Sequence, residues 1–243
     1  MPSVYLPELE NLKPGDETRL EGPEFHHLAH VARRRAEDAL ALNSGQGSLG
    51  TGIVLKTAKD HALLRVTDIR RCEPFPAPYA IAFALLKNRH DELLVEKCTE
   101  LGASAFFPML TEYSVRQAGG NTLERFRKTA LAAIKQCDNP WLPEVSALSD
   151  LSEALGLIEE KGFTPVVCSE RHPELWLHHI PRVKLARPCF LIGAEGGWSD
   201  AEFKALERFQ HISLGNLITR AETAAIAVAA QWLAYAEQCF SVE

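Results

Sequence analysis

The chain has 243 residues, 46% hydrophobic and 24% charged, and a formal net charge of −6. That balance gives a globular chain with room for one large or two modest domains, and it argues against a partner held by bulk attraction to a polyanion. No apolar run reaches the length of a membrane span and MPSVYLPELE lacks a signal-peptide layout, so a cytoplasmic protein is expected.

Elements follow from periodicity and punctuation. Pro23–Arg35 is expected as a helix with Pro23 in its first turn. After the turn Ser44-Gly45-Gln46-Gly47, Gly52–Lys56 and His61–Val66 read as strands, making this half mainly β. Pro74, Pro76 and Pro78 form a stiff connector, which places a domain boundary between 1–73 and 74–243. Beyond it strands and helices alternate. Tyr79–Leu86 is apolar throughout, as in a strand buried on both faces. A helix carrying Leu94, Cys98 and Leu101 stops at Gly102, and Ser104–Pro108 is a short strand. Leu123, Phe126, Ala130, Ala133, Ile134 and Cys137 mark one face of the next helix. Asp150 and Glu153 open another, ending at Gly162. Strands are expected at Thr164–Cys168, Cys189–Ile192 and His211–Leu214. Ser199-x-x-Glu202 is a capping box, and Glu222–Gln238 is a helix apolar on nearly all sides. The alternation predicts an α/β fold with a mostly parallel sheet, whose ligands bind beyond the carboxyl ends of its strands.

Six cysteines (Cys72, Cys98, Cys137, Cys168, Cys189 and Cys239) lie singly, which fits reduced thiols rather than a disulfide framework or a zinc site. His26, His27 and His30 raise the question of a metal, but no further ligand pattern completes a set, so none is expected. Arg33-Arg34-Arg35 reads as a solvated face or as part of a basic stripe. Residues 1–73 hold ten Lys and Arg against eleven Asp and Glu, so such a patch depends on the fold sorting its charges.

Two loops each follow a strand and lead into a helix. Gly193-Ala194-Glu195-Gly196-Gly197-Trp198-Ser199 has three glycines in five positions, so its backbone can approach a ligand closely; a plain tight turn is the alternative. Leu214-Gly215-Asn216-Leu217-Ile218-Thr219-Arg220-Ala221-Glu222-Thr223 carries Arg220, then Glu222 in a first helical turn. There Glu222 either simply favours the helix dipole or pairs with Arg220.

Together these segments resemble the bacterial 16S rRNA uridine N3-methyltransferases (ribosomal RNA small subunit methyltransferase E) of the SPOUT superfamily. The motifs run in order through His26-His27-Leu28-x-x-Val31, Gly45-x-Gly47, Lys87 before Glu96-Lys97-Cys98-Thr99-Glu100-Leu101-Gly102-Ala103, Pro108-x-x-Thr111-Glu112 and Gln136-Cys137. The specific part is Ile192-Gly193-Ala194-Glu195-Gly196-Gly197-Trp198-Ser199-x-x-Glu202 with Leu214-Gly215-x-x-Ile218-x-Arg220-Ala221-Glu222-Thr223-Ala224. Departures include Ser3, Tyr113, Ala194 and Thr219, where the family usually has arginine, arginine, proline and leucine.

The resemblance implies a PUA-like β-barrel over 1–73, followed over 74–243 by an α/β domain with a deep trefoil knot. It implies S-adenosylmethionine as methyl donor, held by Ser169, Leu191, Gly193, Glu195, Gly196, Gly197, Leu214, Gly215, Leu217 and Ile218. Arg220 and Glu222 would be catalytic, and His27, Arg33 and Arg34 would meet RNA. The implied substrate is a uridine N3 in 16S rRNA within the small ribosomal subunit, and the implied assembly a homodimer. Methylation of another RNA or a ribose oxygen, and RNA binding without catalysis, remain the alternatives.

Overall fold

The computed structural model describes residues 2–31, 37–114, 120–171, 175–181 and 185–240. The chain forms two compact units, Met1–Pro74 with Leu131–Leu142, and Phe75–Ala130 with Pro143–Glu243.

The first unit is built on β1 (Val4–Tyr5), β2 (Glu17–Glu21), β3 (Ala39–Asn43), β4 (Ser48–Thr57) and β5 (His61–Arg71), ordered β1-β3-β4-β5-β2. Alternation in β5 turns Ala62, Leu64 and Val66 into a core shared with Leu42 and Val54. The turn before β4 needs its glycines. Gly47 has φ +114°, and a Cβ there would stand 2.5 Å from the Trp141 ring. Helix α1 is shorter than expected. It covers Gly22–His26 and passes into a π-helical turn over His27–Val31, which leaves His27 exposed. Arg33 and Arg34 lie outside the described residues.

The second unit holds seven parallel strands: β6 (Ala80–Ala84), β7 (Ala105–Leu110), β8 (Glu144–Val145), β9 (Ser149–Asp150), β10 (Thr164–Cys168), β11 (Pro188–Ile192) and β12 (Gln210–Ile212). Their order is β12-β10-β11-β6-β7-β8, with β9 also beside β7. Its helices are α2 (His90–Glu100), α3 (Thr122–Cys137, whose end belongs to the first unit), α4 (Leu151–Glu160), α5 (Asp200–Leu206) and α6 (Ala221–Phe240). Capping boxes start two of them, Asp150 with Glu153 for α4 and Ser199 with Glu202 for α5.

Both faces of the sheet are covered, so its central strands β6 and β11 are buried along their whole length. One face packs Ala82, Phe107, Val167 and Leu191 against Leu155 and Ile158 of α4. On the other, Phe83 meets Phe126 of α3, and Phe190 meets Trp232 of α6, edge to face. The buried Trp232 indole donates to the Ala77 carbonyl at 2.9 Å. Among the described residues no helix is long and apolar enough to cross a membrane, and no group of three His, Cys, Asp or Glu could hold a metal ion.

Candidate functional site

The carboxyl ends of β10, β11 and β12 open into a cavity of about 420 Å³, within the usual range for small-molecule sites. Three loops line it. The first continues β10 through Ser169 and Glu170. The second is the glycine loop after β11, and the third runs from Ser213 to Ala221 after β12. This is where parallel α/β sheets bind ligands, because the strands end together and the connecting loops diverge.

The glycine loop folds tightly on itself. The Gly197 N–H donates to the Ala194 carbonyl at 2.8 Å, and Gly197 has φ +73°. A Cβ on Gly193 would meet the Gly197 backbone at 3.2 Å, and one on Gly196 would meet Tyr113 Cβ at 3.1 Å. Side chains clamp this turn from outside. Glu195 Oε1 accepts the Lys87 N–H at 2.9 Å, and Glu202 accepts the Glu112 N–H at 2.8 Å as well as capping α5. Arg171 Nη2 donates to the Trp198 carbonyl at 3.1 Å while its guanidinium lies 4.3 Å from the Phe203 ring centre. A loop fixed by so many contacts presents backbone groups already oriented for a ligand.

The third loop is held at its start and open at its tip. Ser213 Oγ donates to the Gly215 carbonyl at 3.1 Å, and Gln231 of α6 donates to the Leu214 carbonyl at 3.2 Å. Leu217 and Ile218 are 83% and 87% exposed, beside exposed Arg220. Apolar side chains so exposed at a cavity mouth form a surface for a flat apolar partner. Arg220 gives its carbonyl to the Ala224 N–H at 2.8 Å and so starts α6.

Of the residues expected here, Ser169, Gly193, Glu195, Gly196, Gly197, Leu214, Gly215, Leu217, Ile218 and Arg220 all line the cavity. Leu191 does not. It points into the α4-side core, and its neighbour Ile192 reaches the cavity. Glu222 is buried behind the rim. It contacts His90 of α2, not Arg220, with Oε1 3.2 Å from His90 Nδ1. His27 lies in the first unit. Lining residues that sequence reasoning missed include Glu170, Trp198 and Thr219. Trp198 and Thr219 stood inside quoted motifs without an assigned role. Burial pushes the thiol of Cys168, another lining residue, well above the ordinary cysteine range, so the neutral form faces the cavity.

Residues 73–233 match the model of an RNA methyltransferase domain, and residues 20–67 that of an RNA methyltransferase PUA domain. The chain belongs to the RNA methyltransferase family. Ribosomal RNA small subunit methyltransferase E of Synechocystis is 31% identical to it over 212 residues, covering 86% of this chain and 70% of the relative. The Mycobacterium bovis protein of that name is 27% identical over 236 residues, 90% of each chain. The crystal structure of the Neisseria gonorrhoeae enzyme of that name, bound to S-adenosyl methionine, superposes with a TM-score of 0.86. It is 26% identical and covers 97% of this chain and 98% of its own. The fold of this methyltransferase is therefore an α/β domain on a parallel sheet preceded by a PUA-like domain, as the resemblance implied.

Its cavity suits S-adenosylmethionine on its own chemistry. The Gly197 backbone against Gly193 and the Tyr113 side chain against Gly196 leave no room for side chains there, so the loop offers mainly its backbone to the cavity. The Glu170 carboxylate on the rim suits ribose hydroxyls or an ammonium group.

Proposed function

We propose that this protein methylates N3 of a uridine in 16S rRNA within the small ribosomal subunit, using S-adenosylmethionine held by the three loops. The observation that carries this reading is the cavity itself, with backbone-rich walls, a carboxylate on its rim and the exposed Arg220 at its mouth. Family membership and the likeness to relatives named for the small-subunit RNA support it. A homodimer in the cytoplasm belongs to the same reading. So does a knotted crossing of the three loops, and so does an RNA-facing role for the first unit through His27, Arg33 and Arg34.

The cofactor supplies a methyl group on a positively charged sulfur, open to in-line attack. Gly193, Gly196, Gly197 and Gly215 let the backbone enclose it, while Ser169 and Glu170 offer polar contacts. Neutral uracil N3 carries a proton and is a weak nucleophile, so the site must take up that proton and steady the charge that develops on O2 or O4. Arg220 suits the second task, because a guanidinium stays charged and offers several donors. Leu217 and Ile218 would pack against the base and exclude water.

Incubation with labelled S-adenosylmethionine and unmethylated small subunits, followed by nucleoside mass spectrometry, tests this reading. Label on N3-methyluridine at one 16S position is expected. Label on a ribose oxygen or another RNA would redirect the assignment, and RNA binding without transfer would make the protein a non-catalytic reader.

A further inference from the structure

We propose that Glu170 makes the cavity prefer the methyl donor to its spent product, by placing a carboxylate where the charge on the donor's sulfur is felt. This role rests on the methyltransferase reading above and names the residue that tells S-adenosylmethionine from S-adenosylhomocysteine.

The two ligands share adenine, ribose, ammonium and carboxylate, so a hydrogen bond to any of these groups binds both alike. They differ in one methyl group and in charge. The donor's sulfur has three bonds to carbon and is positive. Methyl transfer leaves the bonding pair on sulfur and removes that charge. A site separates donor from product only through the methyl group or through electrostatics.

Three observations place the electrostatic part on Glu170. First, among the described residues the charged side chains lining the cavity are Glu170, Glu195 and Arg220. Two carboxylates against one guanidinium leave the walls net negative, which favours a cationic ligand. Second, Glu170 is the one of these that bridges two lining loops. Its Oε1, from the loop after β10, stands 4.0 Å from where a Cβ on Gly197 of the glycine loop would lie. Glu195 instead spends Oε1 on the Lys87 N–H, and Arg220 belongs to the exposed tip of the third loop, where water screens its charge. Third, the chain on both sides of Glu170 is pinned. The Ser169 N–H donates to the Ile212 carbonyl at 3.0 Å, and Ser169 Oγ accepts the Arg171 N–H at 3.1 Å. The Arg171 guanidinium turns to the Trp198 carbonyl and to Asp200, 3.1 and 3.5 Å away.

The cavity is small enough for one charge to matter. A round cavity of 420 Å³ is about 9 Å across, close to the screening length at physiological salt. Glu170 is itself exposed, so its field is weakened by water. Unit charges about 7 Å apart at an effective dielectric constant of roughly 40–80 change a binding constant about three- to sevenfold. A preference of that size lets the spent product leave before it competes with fresh donor.

Calorimetry on the full-length protein with S-adenosylmethionine and S-adenosylhomocysteine, at about 50 and 500 mM salt, tests this role. Glu170→Gln keeps the size and one hydrogen-bonding oxygen but removes the charge. The ratio of product to donor dissociation constants should fall about three- to sevenfold, with product affinity held within about twofold. High salt should shrink the same ratio in the wild type and leave it steady in the variant. Asp200→Asn removes a fully exposed carboxylate outside the cavity and should leave the ratio within about 1.5-fold of wild type. A Glu170→Gln ratio within about 1.5-fold of wild type overturns the assignment. That holds also where both affinities fall together, since such a loss marks a contact to a shared group. An equal drop of the ratio in Asp200→Asn overturns it too, by making the preference a property of surface charge at large. Wild-type protein that binds neither ligand overturns the methyltransferase reading itself.

Discussion

Single side chains divide the work of the site, and substitutions should separate their roles. Arg220 lines the cavity mouth but is exposed, so Arg220→Ala should lower methylation by about 10²–10³-fold or more while S-adenosylmethionine still binds in calorimetry. Equal loss of cofactor affinity would remove the anion-stabilising role. Gly196 should behave in the opposite way. A Cβ there already crowds Tyr113 at 3.1 Å, so Gly196→Val must displace either that ring or the loop. At about 1 kcal/mol or more for such overpacking, cofactor affinity should weaken roughly fivefold or more. Normal affinity in this variant would show that the glycine loop does not enclose the cofactor. The thiols give a third expectation. Burial raises the pKa of Cys98, Cys168 and Cys189, so little thiolate exists there at pH 8, and alkylation followed by mass spectrometry should mark the partly buried Cys72 and Cys137 before these three. The sign of the pH effect follows. Unfolded thiols ionise near pH 8.5 while the buried ones stay protonated, so their contribution is complete below that pH and stability falls as pH rises above it.

Elements carry the next level of explanation. Trp232 of α6 fills the space against Phe190 and donates to Ala77, so Trp232→Ala should cost about 3–5 kcal/mol in denaturant unfolding. A much smaller loss would mean that α6 is not anchored through this indole. These packed elements were also the legible ones. Apolar runs and capping boxes marked β6, β10, β11, α4 and α5 because each signal lies within a few residues of chain. The strands β1, β8 and β9 left no such mark, since two residues give too little alternation to read, and β2 has Leu20 as its one apolar residue. The expected long helix after Pro23 ends at His26, where the backbone changes to π-helical bonding that no local residue pattern announces. At the site, glycines and motif spacing exposed two of the three loops. In β11, however, every residue is apolar, so the sequence could not tell which of Leu191 and Ile192 faces the cavity. The His90–Glu222 contact joins residues 132 positions apart, and it too was beyond reach of local pattern.

At the scale of the whole molecule, cofactor binding should appear as stability. At a hundred times its dissociation constant S-adenosylmethionine should add about 2.7 kcal/mol, seen as a rise in the unfolding midpoint that is lost in Gly196→Val. The negative net charge fits a protein that finds its RNA by local shape and patches rather than by general attraction, so salt should weaken specific binding less steeply than for a strongly basic protein.

The segment Leu131–Leu142 carries a consequence for how such a gene can change. It lies beyond the proline connector, yet it supplies the Ile134 and Asn139 carbonyls, at 3.4 and 2.9 Å, that satisfy the buried Asn43 amide, and the Trp141 ring under Gly47. A cut at the connector would strip both away and leave a buried polar group unsatisfied. Recombination at that point would transplant an incomplete module. Exchange of the amino-terminal module between lineages therefore needs two linked segments to travel together, which favours inheritance of the two units as one gene.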